Sequence, residues 1–178
     1  MSILHTERLR LRPLREDDAQ AMYDNWTCDE RVARYCRWHP HRDVEGTKQL
    51  LKMYLDEAAG GFDFRWGIEL RETGDLIGVI DVVGISDDGK TATIGYVLAH
   101  AHWNRGYVTE ALRRVLSVLL ASGFTTVKAE HHIDNPASGH VMEKCGMTYI
   151  DNACVPGKFG SDELVEVKQY EIKAPQMS

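Results

Sequence analysis

The sequence predicts an α+β fold, a mixed central sheet of about seven strands with helices on both faces. Three observations carry that prediction. In the first half, short runs alternate apolar and polar residues with period two, and turn residues separate them at hairpin distance. In the second half, runs with helical spacing alternate with apolar strand-like runs, the pattern of β-α-β units. No repeat, linker or charge block interrupts the 178 residues, so residues 1–178 read as one domain.

Taken in order, Arg8-Leu9-Arg10-Leu11-Arg12 alternates with period two and stops at Pro13, giving the first strand. Asp17-Asp18 opens a helix that carries Ala19, Met22, Tyr23 and Trp26. Val44 to Ala59 places Leu50, Leu51, Tyr54 and Leu55 on one helical face and ends at Gly60-Gly61. Phe64 to Leu70, Leu76 to Val83 and Thr91 to Leu98 read as an antiparallel meander, broken at Thr73-Gly74-Asp75 and Asp87-Asp88-Gly89-Lys90. Gly106 to Ala121 carries Val108, Ala111, Leu112, Val115, Leu116 and Leu119, an i, i+3, i+4 stripe that predicts a helix. A strand (Thr125 to His131), a helix (Asn135 to Lys144) capped by Gly146, a strand (Met147 to Val155) and a last strand (Leu164 to Ile172) follow. The crossover from Thr91–Leu98 through the long helix to Thr125–His131 is expected to be parallel and right-handed.

Composition narrows the partners. Hydrophobic residues are 43% and charged residues 27% of the chain, enough for a core that needs neither disulfides nor metals. The four cysteines, Cys28, Cys36, Cys145 and Cys154, form no CxxC pair, so reduced thiols in a reducing, cytoplasmic compartment are expected. The longest apolar stretch, near Val115 to Ala121, is far short of the roughly 20 residues that span a bilayer. The start, Met1 to Arg8, has no apolar secretory core, and no membrane partner is expected. With 21 basic against 27 acidic side chains, the net charge of −6 argues against nucleic acid. It suits a cationic substrate, and it equally suits plain solubility.

The most informative segment runs from Ile94-Gly95-Tyr96-Val97-Leu98 into Trp103-Asn104-Arg105-Gly106-Tyr107-Val108-Thr109-Glu110-Ala111. It is a strand, a short loop with a glycine, and an amphipathic helix. Free amides at a helix start bind anions, Gly106 would let backbone approach a phosphate closely, and Arg105 adds a cation. A tight strand-to-helix turn explains the same glycine. Neither GxxxxGK[ST] nor GxGxxG occurs.

Further segments join it in order: Thr6-Glu7-Arg8-Leu9-Arg10-Leu11-Arg12-Pro13-Leu14, Leu76-Ile77-Gly78, and Asn135-Pro136-Ala137-Ser138 through Glu143-Lys144-Cys145-Gly146-Met147. Together they resemble the GCN5-related N-acetyltransferases (GNAT superfamily), in the branch of the ribosomal-protein N-terminal acetyltransferases, over about residues 6–172. The resemblance implies the GNAT acyl-CoA N-acyltransferase fold and transfer of an acetyl group from acetyl-CoA to a primary amine, with a protein N-terminus as the first candidate and no metal. It places the pyrophosphate on Trp103, Asn104, Arg105, Gly106, Tyr107, Val108 and Thr109, the pantetheine arm along Tyr96, Val97 and Leu98, and a further cofactor contact at Asn135. Two positions depart from the family pattern. Relatives carry a small residue where Val108 stands and often glycine where Asn104 stands; valine keeps its amide. Many also carry a tyrosine at the position of Met142 to protonate the thiolate, which methionine cannot do. Ser138 matches the alternative acid of this branch, and it equally suits local capping of its helix.

An amine of pKa about 10 is roughly one part in a thousand neutral at pH 7, so a base or water chain must remove its proton. Glu130 and Asp81 are the candidate bases, each also readable as an ordinary edge or solvent-facing carboxylate. Glu110 suits the helix dipole better. Backbone N–H groups near Leu98 are the expected oxyanion donors. The resemblance places the acceptor between the stretches Arg34 to His41, with Arg37 and Trp38 as contacts, and Pro156 to Glu163. The pairs His39/His41, His100/His102 and His131/His132 match no zinc spacing and leave a metal-binding regulator as a distant rival; His131 or His132 is also a candidate proton relay. The nearer rivals are a small-molecule amine acetyltransferase (polyamine, amino acid or aminoglycoside) and a non-catalytic acyl-CoA-binding module. Oligomeric state is not legible; a homodimer is the common form.

Overall fold

The structure, a computed structural model, describes residues 2–62 and 64–175. Among these residues the strands are β1 (Leu4–His5), β2 (Leu9–Arg12), β3 (Arg65–Leu70), β4 (Leu76–Ile85), β5 (Thr91–Leu98), β6 (Thr126–His132), β7 (Thr148–Pro156) and β8 (Leu164–Lys173). The helices are α1 (Ala19–Met22), α2 (Glu30–Ala33), α3 (Val44–Ala59), α4 (Tyr107–Ala121) and α5 (Pro136–Lys144). The strand order is β1-β2-β3-β4-β5-β6-β8-β7, a mixed sheet of eight strands where the sequence predicts about seven. The additional strand is β1, whose one buried residue, Leu4, faces Leu11. Two residues are too few for alternation to register.

Contacts gather the chain into two compact units. One comprises the chain up to Asp81 together with Tyr96–Tyr107; the other comprises Val82–Gly95 and the chain from Val108 onward. In the first, β2 pairs antiparallel with β3, setting Leu9 opposite Leu70 and Leu11 opposite Ile68. The arginines between these leucines are not all on a wet face. Arg12 is buried, donating two 2.8 Å bonds to Asp18 and a third to Glu69, which also pairs with Arg10. Both carboxylates hold the Arg12 guanidinium more firmly charged than in water.

The first helical region departs from one continuous helix. A 3-10 turn at Glu16–Asp18 leads into α1, and a π-helical stretch follows at Tyr23–Thr27. The apolar face survives these changes: Leu14, Ala19, Met22, Trp26, Val32, Leu51, Leu76 and Val79 form one buried cluster, with Trp38, Tyr54 and Val97 packed against it. The predicted α3 has the predicted bounds, with the Asp43 carboxylate accepting from the Gly46 amide at 3.1 Å.

In the second unit β5 pairs parallel with β6 from Thr91 opposite Thr126 to Ile94 opposite Ala129, the parallel crossover expected. β8 pairs antiparallel with both β6 and β7, so β8 lies between them and β7 is the outer strand with mostly exposed residues. The stripe of α4 is buried through Ala111, Leu112, Val115, Leu116 and Leu119. Gly146, at φ 83°, ends α5 as its position in the sequence requires.

Candidate active site

The loop before α4 is shaped by its backbone. Asn104 (φ 60°) and Gly106 (φ 78°) both occupy the left-handed region, and Asn104 is the sole non-glycine residue there among those described. Asparagine tolerates that conformation better than most side chains, so Asn104 fits this turn without being a glycine. Gly106 lies just outside α4, which starts at Tyr107 rather than at Gly106. Trp103 closes the loop onto the strand: its Nε1–H donates to the Leu98 carbonyl at 2.8 Å, and its ring lies 4.8 Å from that of His100. On the other side, Arg8 donates to the Arg105 carbonyl at 2.9 Å, with its guanidinium 4.5 Å from the centre of the Tyr107 ring. The strand end is fixed from β4, where the Ala99 amide donates to the Ile77 carbonyl at 2.8 Å. A Cβ at Gly78 would come within 2.3 Å of the Val97 carbonyl oxygen, so glycine alone allows this approach.

Ser138 and Glu130 belong to the second unit, with Asn135, Val108 and Thr109. Asn135 caps α5 with Pro136 at its first turn, and its side chain makes no capping bond. The Asn135 carbonyl instead accepts from the Ser138 amide at 3.1 Å. Ser138 is half-buried. Its neighbour Gly139 is buried against His131: a Cβ there would meet the His131 Nε2 at 2.6 Å. The Nδ1 of His131 lies 2.8 Å from the His132 carbonyl, which makes Nδ1 the donor and leaves Nε2 a buried lone pair without a partner. Burial pushes the His131 imidazole below its ordinary value, so the ring is neutral and sealed. A sealed nitrogen cannot take a proton from a substrate, which removes His131 as a relay. Glu130 is half-exposed, with Gln169 donating to it at 3.4 Å. Met142, in the family's tyrosine position, is buried as a core side chain.

Asp81 sits in the first unit among groups that the sequence reading did not connect. Arg65 donates from Nε to Asp81 at 2.8 Å and from Nη1 to Glu57 at 2.7 Å, with its guanidinium 3.7 Å from the Tyr54 ring centre. Burial raises the Asp81 carboxyl above the usual carboxylate range despite Arg65, and burial pushes the Tyr54 hydroxyl up to about 12. Arg37 is exposed, whereas Trp38 is half-buried against the first unit's core. Among the described residues no three His, Cys, Asp or Glu side chains gather at metal-binding range. His41 is engaged with Thr47 at 2.7 Å and His102 packs 6.1 Å from the Tyr107 ring. No helix among them is long and apolar enough to cross a membrane.

The profile of the acetyltransferase (GNAT) domain matches residues 8–148. The chain belongs to the GNAT acetyltransferase family. It is therefore an acetyltransferase enzyme. The uncharacterized N-acetyltransferase YoaA of Bacillus subtilis (strain 168) is 32% identical over 145 residues, covering 81% of each chain. The ribosomal-protein-serine acetyltransferase of Escherichia coli (strain K12) is 32% identical over 98 residues, 54% of each chain. A GNAT-family acetyltransferase from Bacillus anthracis superposes with TM-score 0.84 at 23% identity, covering 98% of this chain and all of the other. Spermidine N-acetyltransferase from Vibrio cholerae, solved with CoA and spermine, superposes with TM-score 0.77 at 18% identity over 95% and 97% of the two chains. At these identities the two structures establish the fold: this chain has the GNAT fold.

Proposed function

We propose that the chain is a single-domain N-acetyltransferase that moves an acetyl group from acetyl-CoA to a protein N-terminal α-amine. The observation that carries the acceptor is the 32% identity to a ribosomal-protein-serine acetyltransferase. The family match runs through both contact units, which supports one working domain. Four free cysteines support a reducing compartment, and we place the enzyme in the cytoplasm.

The donor site is assigned to the loop and helix start from Trp103 to Thr109 for the pyrophosphate, supported by the two left-handed residues, Asn104 and Gly106, that lead into the helix start at Tyr107. Tyr96, Val97 and Leu98 lie beyond the last β5–β6 pair, and the pantetheine amides are assigned to this stretch and to Asn135. Amides near Leu98 would hold the thioester oxygen as charge develops on it. The neutral amine attacks the thioester carbon, the C–N bond forms, and the C–S bond breaks to release the CoA thiolate. Ser138 gives that sulfur a proton and is reprotonated by the proton that the attacking nitrogen sheds, directly or through water, as the amide forms. Glu130 is assigned as the base, through water, because it is half-exposed while Asp81 is committed to Arg65. Asp81 is then the ion-pair partner of Arg65, and Arg37 and Trp38 are assigned to the acceptor. A homodimer is the assembly to look for.

Acetyl transfer to a panel of peptides with free α-amines, measured beside spermidine, a free amino acid and an aminoglycoside, tests the acceptor. Peptides are expected to give the highest kcat/KM, abolished by prior N-acetylation. The second reading, a polyamine acceptor, is favoured by the net charge of −6 and the fold shared with the spermidine enzyme. A tenfold preference for spermidine would select it. Tight acetyl-CoA binding with no CoA released on any amine would select the non-catalytic module.

A further inference from the structure

We propose that Arg8, at the start of the first strand motif, is a positioning residue for the cofactor's pyrophosphate. This rests on the acetyl-CoA reading above. Arg8 and the loop are 97 residues apart, yet its Nη1 donates to the Arg105 carbonyl at 2.9 Å. Its guanidinium also lies over Tyr107, the first residue of α4, 4.5 Å from the ring centre. The two contacts bracket Gly106, and Nη2 stands 3.5 Å from where a Cβ of that glycine would be.

The consequence follows from peptide geometry. No peptide bond among the described residues is cis, and in a planar trans peptide the carbonyl and the following N–H point in opposite directions. Capturing the Arg105 carbonyl therefore aims the Gly106 N–H away from Arg8. Gly106 is left-handed and could rotate with little steric resistance. The loop is exposed, so neighbouring packing does not hold that peptide plane. Arg8 supplies the restraint, and the stacking on Tyr107 fixes Arg8 itself. The guanidinium acts from behind the loop, by orienting a donor, while Arg105 supplies the cation within it.

The test compares wild type with Arg8→Gln and Arg8→Met. Gln and Met match each other in length, both two atoms shorter than arginine; Gln keeps an N–H for the Arg105 carbonyl without the charge, and Met keeps neither. Calorimetry gives Kd for acetyl-CoA without any acceptor, and turnover is compared for acetyl-CoA and S-acetyl-pantetheine, a donor without pyrophosphate. Arg8→Met is expected to weaken acetyl-CoA binding and raise its KM about tenfold, the scale of one charge-assisted hydrogen bond. The same variant leaves kcat, and leaves kcat/KM for S-acetyl-pantetheine, unchanged. Arg8→Gln recovers part of the loss. Equal losses on both donors would make Arg8 a general support of the fold and overturn the proposal, as would no change in Kd or a Gln variant no better than Met. Wild type that does not bind acetyl-CoA would overturn the acetyl-CoA reading itself, and this proposal with it.

Discussion

The loop before α4 and the β6–α5 segment each depend on a glycine, and for different physical reasons. At Gly106 there is room for a side chain, since the nearest atom to a Cβ is an arginine nitrogen at 3.5 Å, but φ is 78°. At Gly139 the backbone is helical, but a Cβ would meet the buried His131 ring at 2.6 Å. The first segment is an exposed piece of chain whose shape resides in dihedral angles and one long-range arginine. The second is a packed contact in which a strand histidine sets how closely a helix can lie. An exposed loop can tolerate a new side chain if the backbone accepts it; a packed contact cannot, whatever the backbone allows.

The largest expected effect is on the packed side. Gly139→Ala should destabilise the protein by about 1–3 kcal/mol, the usual range for overpacking, read by denaturant unfolding. In a His131→Asn background, where the shorter side chain vacates the space, more than half of that loss should vanish. Additive losses would mean that the two residues are not in the contact described.

A smaller effect belongs to the loop. Gly106→Ala should cost about 1–2 kcal/mol from the left-handed backbone alone, and no substitution at Arg8 should relieve it. Asn104→Gly should be neutral or gain a few tenths of a kcal/mol, because it relaxes the same kind of strain. A stability gain in Gly106→Ala would refute the dihedral account of this loop.

The smallest effect is a pH dependence that separates the two segments. His131 is held below its ordinary value of 6.5 by burial, with Lys168 and His132 acting in the same direction and Glu143 and the His132 carbonyl opposing. The unfolded chain binds that proton first, so the stabilising effect of the neutral ring is present above pH 6.5 and is lost as pH falls through the lowered folded value. Unfolding midpoints at pH 7.5, 6 and 5 should fall less steeply in His131→Asn than in wild type. His41 and His102, also lowered by burial, keep part of the slope in both.

Local periodicity made much of this molecule readable. The α3 bounds, the buried stripe of α4 and the parallel β5–β6 crossover all follow from patterns within a few residues of one another. The two-residue β1 and the 3-10 and π turns flanking α1 did not, because neither spans enough residues to repeat. The turn into α4 was legible because it is a stretch of chain, from Trp103 to Thr109, and the proposed donor site rests on it. Contacts between distant side chains were illegible. Arg8 on Arg105, His131 against Gly139, and Arg65 between Asp81 and Glu57 leave no mark of spacing, since the fold alone decides which distant residues touch.

The most direct test of the central claim is thermal unfolding with and without acetyl-CoA, with NAD and ATP as controls. At about a hundredfold excess over Kd, linkage gives roughly 2.7 kcal/mol. For a chain of this size that raises the midpoint by about 5–10 °C. The account predicts such a rise with acetyl-CoA and none with NAD or ATP. No rise with acetyl-CoA, CoA or a longer acyl-CoA would contradict it.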